Sequence, residues 1–158
     1  HLDHVHEASG QVFDYAFFER DGFVYDTEPA CRAVVWARRQ SSEAALGLLD
    51  RLHHAFYGEN RDITAPPVLA TIVSEAGFDP AAFAAHFTDD ELVKETERDF
   101  QISQQTGVTG FPTLIAGNGR NSDYALLTAG FQVKQRIVPV LARWLDDQQG
   151  SAQEESAI

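Results

Sequence analysis

The chain has 158 residues, 44% of them apolar and 23% charged, which predicts a folded domain with its own core and excludes a disordered or fibrous protein. Its 24 acidic and 12 basic residues give a net charge of −12, so phosphate backbones and anionic lipid surfaces repel it. We therefore expect no nucleic-acid partner. We expect no membrane partner either, because no apolar run approaches the ~20 residues of a spanning helix.

Cysteine and histidine content limits the redox and metal chemistry of this sequence. Cys31 is the sole cysteine, which excludes an internal disulfide and a zinc site made of several thiolates. Its apolar neighbours favour a buried structural thiol over a redox role. His1, His4 and His6 favour a solvated terminus, so no metal site is predicted. The chain begins with His1 and its native start is not seen, so the sequence does not identify the compartment. A cytoplasmic protein is favoured.

Residues 28–105 are predicted to be helical almost throughout, with capping residues, prolines and glycines at the expected places. The predicted helix starts are at Thr27, Ser42, Thr64, Asp79 and Asp89. About five short helices follow from this pattern. Asp26, Glu28 and Arg32 lie close enough at the first start for capping and an ion pair.

The pattern changes after Gly107, where two short apolar runs flank a turn rich in Gly and Asn. Residues 112–116 and 124–129 are predicted to form a hairpin, and an amphipathic helix follows, with Pro139 either kinking it or lying in its first turn. The tail at residues 148–158 is polar and expected to fray. Two strands do not make a stable sheet alone, so we expect further strands from sequence before His1.

The segment at residues 107–113, Gly-Val-Thr-Gly-Phe-Pro-Thr, separates the last of these helices from the first strand. A proline at the entrance of a strand cannot donate to the ladder, and X-Pro bonds adopt the cis form at small cost. From the residues alone, the segment is compatible with a cis Phe111–Pro112 bond or with an ordinary turn and a trans proline.

Residues 107–114, followed by a hairpin, Gly130 and a terminal amphipathic helix, resemble the cis-proline loop and C-terminal half of the thioredoxin fold. Upstream, residues 25–33 (Tyr-Asp-Thr-Glu-Pro-Ala-Cys-Arg-Ala), with 55–57 and 62–64, resemble the helical insertion of the DsbA-like oxidoreductases. The match runs from about residue 10 to residue 145. In that family a strand, a Cys-x-x-Cys helix start and a second strand precede the insertion, and this sequence contains none of them.

The resemblance implies an α/β protein with a thioredoxin-like fold, of which this chain holds the C-terminal ββα half and an all-helical insertion, while the N-terminal βαβ part is missing. The domain boundaries expected from it are a connecting segment at 1–26, the insertion at 27–107, the thioredoxin-like part at 108–147 and a polar tail at 148–158. A bacterial protein is implied as well.

The resemblance also implies a function and a site. Substrate binding is expected at Gly110, Phe111, Pro112 and Thr113, with Pro112 as the cis-proline of the active-site loop, and these residues would position the substrate without reacting. The expected function is a thiol:disulfide oxidoreductase or protein disulfide isomerase, inactive as the fragment shown. A glutathione-dependent isomerase or transferase and a non-catalytic peptide-binding module are the alternatives.

The expected partners follow from the same resemblance. They are protein or peptide thiols and disulfides, and a second copy of the chain bound through the free edge of the sheet. No cofactor is expected, although glutathione fits as a co-substrate.

Overall fold

The structure, a computed structural model, describes residues 2–119 and 124–155. The chain divides into two compact units, residues 1–100 and residues 101–158, called here the helical unit and the C-terminal unit. Across both described ranges, no helix combines the length and the apolar character required to cross a membrane.

The elements follow one another in the order helices, hairpin, helix. The helices before the hairpin are α1 (Leu2–Ser9), α2 (Glu28–Arg38), α3 (Ser42–His53), α4 (Pro66–Glu75), α5 (Pro80–His86) and α6 (Asp90–Gln105). A 3₁₀ turn spans Tyr15–Glu19, and a π-helical turn, His54–Gly58, follows α3. The hairpin consists of β1 (Thr113–Gly117) and β2 (Tyr124–Ala129), and α7 (Lys134–Glu155) comes last. The prediction of about five helices in residues 28–105 is confirmed.

The start of α2 is held by a carboxylate rather than by the predicted Thr27. Asp26 accepts the Glu28 N–H at 3.0 Å, whereas the Thr27 side chain makes no capping hydrogen bond. Glu28 also receives two hydrogen bonds from Arg32, at 2.7 and 2.5 Å, one turn along the helix. The predicted ion pair at this helix start is therefore confirmed, and the capping role belongs to Asp26.

Two other predicted caps are wrong by one residue. Ser41, not Ser42, precedes α3 in extended backbone and accepts the N–H three residues on at 3.0 Å. Thr64 lies before α4 without capping it, because its N–H and hydroxyl both donate to Asp62, at 2.9 and 2.6 Å. Asp79 does cap α5, as predicted, since its carboxylate accepts the N–H two residues on at 2.8 Å.

The buried core lies within the helical unit, where α2, α3, α4, α5 and α6 bring their apolar faces together. Trp36 contacts the edges of Phe78 and Phe83, with ring centroids 5.8 and 5.2 Å apart. The largest fully buried side chains are Phe56, Phe83, Leu48, Leu52, Leu69, Ile72, Leu92, Val73 and Thr96.

The hairpin of the C-terminal unit is antiparallel, with Thr113 opposite Ala129 and Gly117 opposite Tyr124. The register shifts between Leu114 and Ile115, which marks a bulge. The first strand begins one residue later than predicted, because Pro112 lacks the N–H of a ladder residue. In the described part of this unit no side chain is fully buried.

The last helix is longer than the sequence indicated. It begins at Lys134 with Pro139 inside it, and it continues to Glu155, whereas residues 148–158 were expected to be a frayed tail. Glutamine, alanine and glutamate have high helix propensity, so a polar composition does not stop the helix. Asn118 also donates to the Gln148 side chain at 3.1 Å.

Candidate substrate-binding loop

The loop between α6 and β1 begins with a regular helix end. Gly107 has a φ of +75°, its N–H donates to the Gln104 carbonyl at 3.1 Å, and the Val108 N–H donates to the Ser103 carbonyl at 3.0 Å. These two bonds form the Schellman motif, in which glycine is favoured because it adopts positive φ without strain. The sequence therefore fixes where the loop leaves the helix.

Two hydrogen bonds hold the other end of the loop. The Thr113 hydroxyl donates to the Gly110 carbonyl at 2.6 Å. The Pro112 carbonyl accepts the Gly130 N–H at 2.8 Å, which ties the loop to the end of β2. The Phe111–Pro112 peptide bond is cis.

Phe111 lies between these two engaged carbonyls. In the described part of the chain, its own N–H and C=O have no hydrogen-bond partner. Pro112 contributes no N–H. Among the described contacts of the backbone between the Gly110 carbonyl and the Pro112 carbonyl, only the N–H and C=O of Phe111 therefore lack a hydrogen bond. The Phe111 ring is 85% exposed. The loop thus presents one donor, one acceptor and one apolar surface at a single residue.

The four residues predicted as the binding site are consecutive and lie on this loop and the first position of β1. No role was predicted for Gly130, although its N–H donates to the Pro112 carbonyl. A glycine directly after a predicted strand was the available signal, because glycine adopts positive φ without strain. The φ of Gly130 is +81°.

Cys31 lies in the helical unit, in the second turn of α2, and is half-buried rather than fully buried. Burial raises the pKa of its thiol, and the carboxylates of Glu28, Asp99 and Asp26 raise it further. A position near a helix N-terminus favours the thiolate, but here burial and three carboxylates outweigh that effect. The thiol form therefore dominates at neutral pH.

His4 and His6 lie on α1. His4 is 3.8 Å from a carboxylate oxygen of Glu7, and a ring nitrogen of His6 is 2.6 Å from the Gln11 carbonyl oxygen. His1 lies outside the described residues. Elsewhere in residues 2–119 and 124–155, no three His, Cys, Asp or Glu side chains converge as metal ligands would.

The helical unit contains a shallow apolar cavity of about 520 Å³. Its walls include Pro66, Pro67 and Phe83. The Arg32 guanidinium at its edge lies 4.8 Å from the centre of the Phe87 ring and already donates to Glu28. The cavity therefore offers apolar contact without an unpaired charge.

A family model described as "DSBA-like thioredoxin domain" matches residues 13–133. Among solved structures, a candidate protein disulfide isomerase from Nitrosomonas europaea is 32% identical, with a TM-score of 0.83 over 92% of this chain and 72% of that chain. The cytosolic disulfide reductase DsbM from Pseudomonas aeruginosa is 26% identical, with a TM-score of 0.63 over 79% of this chain and 62% of that chain. A structure of DsbM with glutathione, 24% identical, shares the fold at a TM-score of 0.62 over 98% of this chain and 73% of that chain.

Proposed function

Because the chain belongs to the DSBA-like thioredoxin domain family, we propose that it provides the substrate-recognition part of a thiol:disulfide oxidoreductase or protein disulfide isomerase. The observation that carries this proposal is that the N–H and C=O of Phe111, beside an exposed ring, have no partner among the described residues. An extended peptide can pair with such a backbone as an added strand. The proposed substrate is an extended protein or peptide segment that carries a thiol or disulfide.

The redox step requires two thiols, and this sequence contains one cysteine. A thiolate attacks one sulfur of the substrate disulfide, forms a mixed disulfide and releases the other sulfur as a thiolate. A second thiol then displaces the substrate and leaves the enzyme as a disulfide. Cys31 has no such partner and a raised pKa, so we propose that the 158 residues bind substrates without completing this cycle.

Turnover and binding are tested separately. The 158-residue chain is expected to leave the rate of insulin reduction by dithiothreitol unchanged, as followed by turbidity, and Cys31→Ser is expected to behave identically. Acceleration that disappears in Cys31→Ser would show that Cys31 does catalyse exchange.

Binding is measured by fluorescence anisotropy with a probe peptide, an extended fluorescein-labelled insulin B-chain segment whose cysteines are replaced by serine. Phe111→Ser is expected to weaken binding by roughly tenfold or more, because the ring no longer buries apolar surface. Phe131→Ser is the matched control, since Phe131 is also an exposed aromatic of the C-terminal unit. Equal affinities for the wild type and Phe111→Ser would remove the recognition role.

Glutathione is our proposed co-substrate, and a glutathione-dependent isomerase or transferase is the second candidate function. The structure of DsbM with glutathione supports this choice of ligand. If glutathione acts as co-substrate of an oxidoreductase, reduced glutathione and the probe peptide compete for the chain. An isomerase or transferase instead predicts glutathione binding, measured by calorimetry, with no affinity for the probe peptide.

We also propose that two copies of the 158-residue chain associate through the hairpin. The sheet has two strands in the described residues, and an unpaired edge presents N–H and C=O groups to a second chain. Leu126 on β2 is 65% exposed, which adds apolar surface to that edge.

A further inference from the structure

The Thr113 hydroxyl holds the Gly110 carbonyl at 2.6 Å, and this bond lies inside the proposed recognition loop. From this contact we infer that Thr113 is a positioning residue, whose side chain fixes the loop so that the Phe111 backbone is presented to a peptide. The inference rests on the proposed function and adds to it the residue that sets the geometry of the site.

The hydrogen bonds on both sides of Phe111 favour this residue as the place where a peptide pairs with the loop. A loop carbonyl without a partner competes for any N–H that a peptide brings. Thr113 reduces that competition on the N-terminal side by donating to the Gly110 carbonyl. Gly130 reduces it on the C-terminal side by donating to the Pro112 carbonyl. An incoming strand is therefore directed to Phe111.

The exposed position of Gly110 makes the side-chain bond more important. Gly110 is exposed, and among the described residues nothing lies within 4 Å of the place where its Cβ would be. Thr113 belongs to β1, whose backbone is fixed by pairing with β2. Its hydroxyl therefore connects an ordered strand to an exposed part of the loop. Such preorganisation lowers the entropy that a peptide must remove on binding.

The test compares three variants in anisotropy titrations with the probe peptide. Thr113→Val keeps the shape of the side chain and removes the donor, so we expect the affinity to fall roughly fivefold to tenfold, the range for one lost hydrogen bond. Thr113→Ser keeps the hydroxyl and is expected to remain within about twofold of wild type. Thr128→Val makes the same chemical change on β2, opposite Leu114, and is expected to leave the affinity unchanged.

A purely structural role is separated from positioning by two further measurements. The thermal midpoint of Thr113→Val is expected to match that of Thr128→Val, and the ¹³C resonance of the Gly110 carbonyl is expected to shift in Thr113→Val alone.

Three outcomes contradict the inference or its basis. Equal affinity of Thr113→Val and wild type overturns the positioning role while the proposed function stands. A loss that Thr113→Ser does not restore also overturns it. No binding of the probe peptide by the wild type overturns the proposed function, and the inference with it.

Discussion

Gly130 holds the candidate loop through its backbone, and its φ of +81° is one that an L side chain adopts only with strain. An L residue costs about 1–2 kcal/mol in the left-handed region. We expect Gly130→Ala to lower the free energy of unfolding of the C-terminal unit by about this amount, and to weaken peptide binding because the tie to the Pro112 carbonyl is strained. Urea denaturation and anisotropy measure the two effects.

Gly47 provides the matched control for that substitution. It lies inside α3, and an added Cβ would meet no described atom within 4 Å. Alanine in a helix interior is favoured over glycine by roughly 0.5–1 kcal/mol, so Gly47→Ala is expected to stabilise the helical unit. If Gly130→Ala is as stable as wild type, the positive φ does not constrain this position.

The loop shows how far residue-level prediction extends. Gly110, Phe111, Pro112 and Thr113 were identified because their order resembles a known loop. The hydrogen bond from Thr113 to Gly110 was not predictable, because it depends on a side-chain rotamer and on a carbonyl direction that sequence spacing does not specify. Phe111 was predicted as a binding residue, but its exposure depends on the folded loop and does not follow from an apolar residue type.

Helix α3 offers a direct test of where the core lies. Leu48 is 0% exposed and Leu46 is 66% exposed, although they are two residues apart on the same helix. We expect Leu48→Ala to cost about 2–5 kcal/mol of stability, because it removes apolar contacts and leaves a cavity. Leu46→Ala is expected to change stability by less than about 0.5 kcal/mol. Chemical denaturation that ranks the two variants in the opposite order would refute the assigned helix face.

A cluster of four charged residues joins the end of α3, the π-helical turn and α4. Arg51 contacts Glu59 at 2.9 Å, and Arg61 contacts Glu75 at 2.7 Å, with Arg51 also bonded to Glu75. Arg51 and Arg61 lower the pKa of Glu59 and of Glu75. These carboxylates lie near the surface, so solvent and salt reduce the strength of the contacts.

The lowered pKa values of Glu59 and Glu75 predict how the stability of the helical unit changes with pH. A carboxylate whose pKa is lower in the folded state stabilises the fold above its ordinary pKa, and this contribution is lost as the pH falls through the folded value. We expect the helical unit to lose stability on acidification, and Glu75→Gln to reduce that slope. Glu97→Gln on α6, which makes no ion pair in the described residues, is the control. Identical slopes in thermal scans for wild type and Glu75→Gln would contradict this assignment.

Helix and strand boundaries were predicted correctly where several local sequence signals agree. They were predicted wrongly where tertiary contacts or side-chain rotamers determine the boundary. Asp79 followed by Pro80 predicted α5 because a capping side chain and a preset φ coincide there. The adjacent serines at the start of α3 gave no basis for choosing Ser41 over Ser42, since either hydroxyl can cap. The extent of α7 was missed because polar residues mark both helices and frayed ends.

At the scale of the whole molecule, the two units differ in how much of their apolar surface is buried. The helical unit has a buried core, whereas the described C-terminal unit has none. The large exposed apolar side chains of the C-terminal unit are Phe111, Leu114, Tyr124, Leu126, Phe131, Val133, Val138, Val140, Leu141 and Leu145. The sequence indicated that two strands are too few for a stable sheet, but it did not identify what covers them.

We expect the 158-residue chain, expressed by itself, to associate in a concentration-dependent way. Burying the edge and the apolar side chains of the hairpin between two copies lowers the free energy. Leu126→Lys places a charge on that surface and is expected to shift the equilibrium toward monomer. Light scattering that finds a stable, non-aggregating monomer at high micromolar concentration would contradict the association.

The central claim is that residues 110–113 recognise an extended peptide, and amide chemical shifts of the ¹⁵N-labelled chain test it most directly. On titration with the probe peptide, we predict the largest perturbations at the Gly110, Phe111 and Thr113 amides, with saturation at the affinity found by anisotropy. Perturbations confined to the apolar cavity around Phe83 in the helical unit, or none at saturating peptide, would contradict the claim.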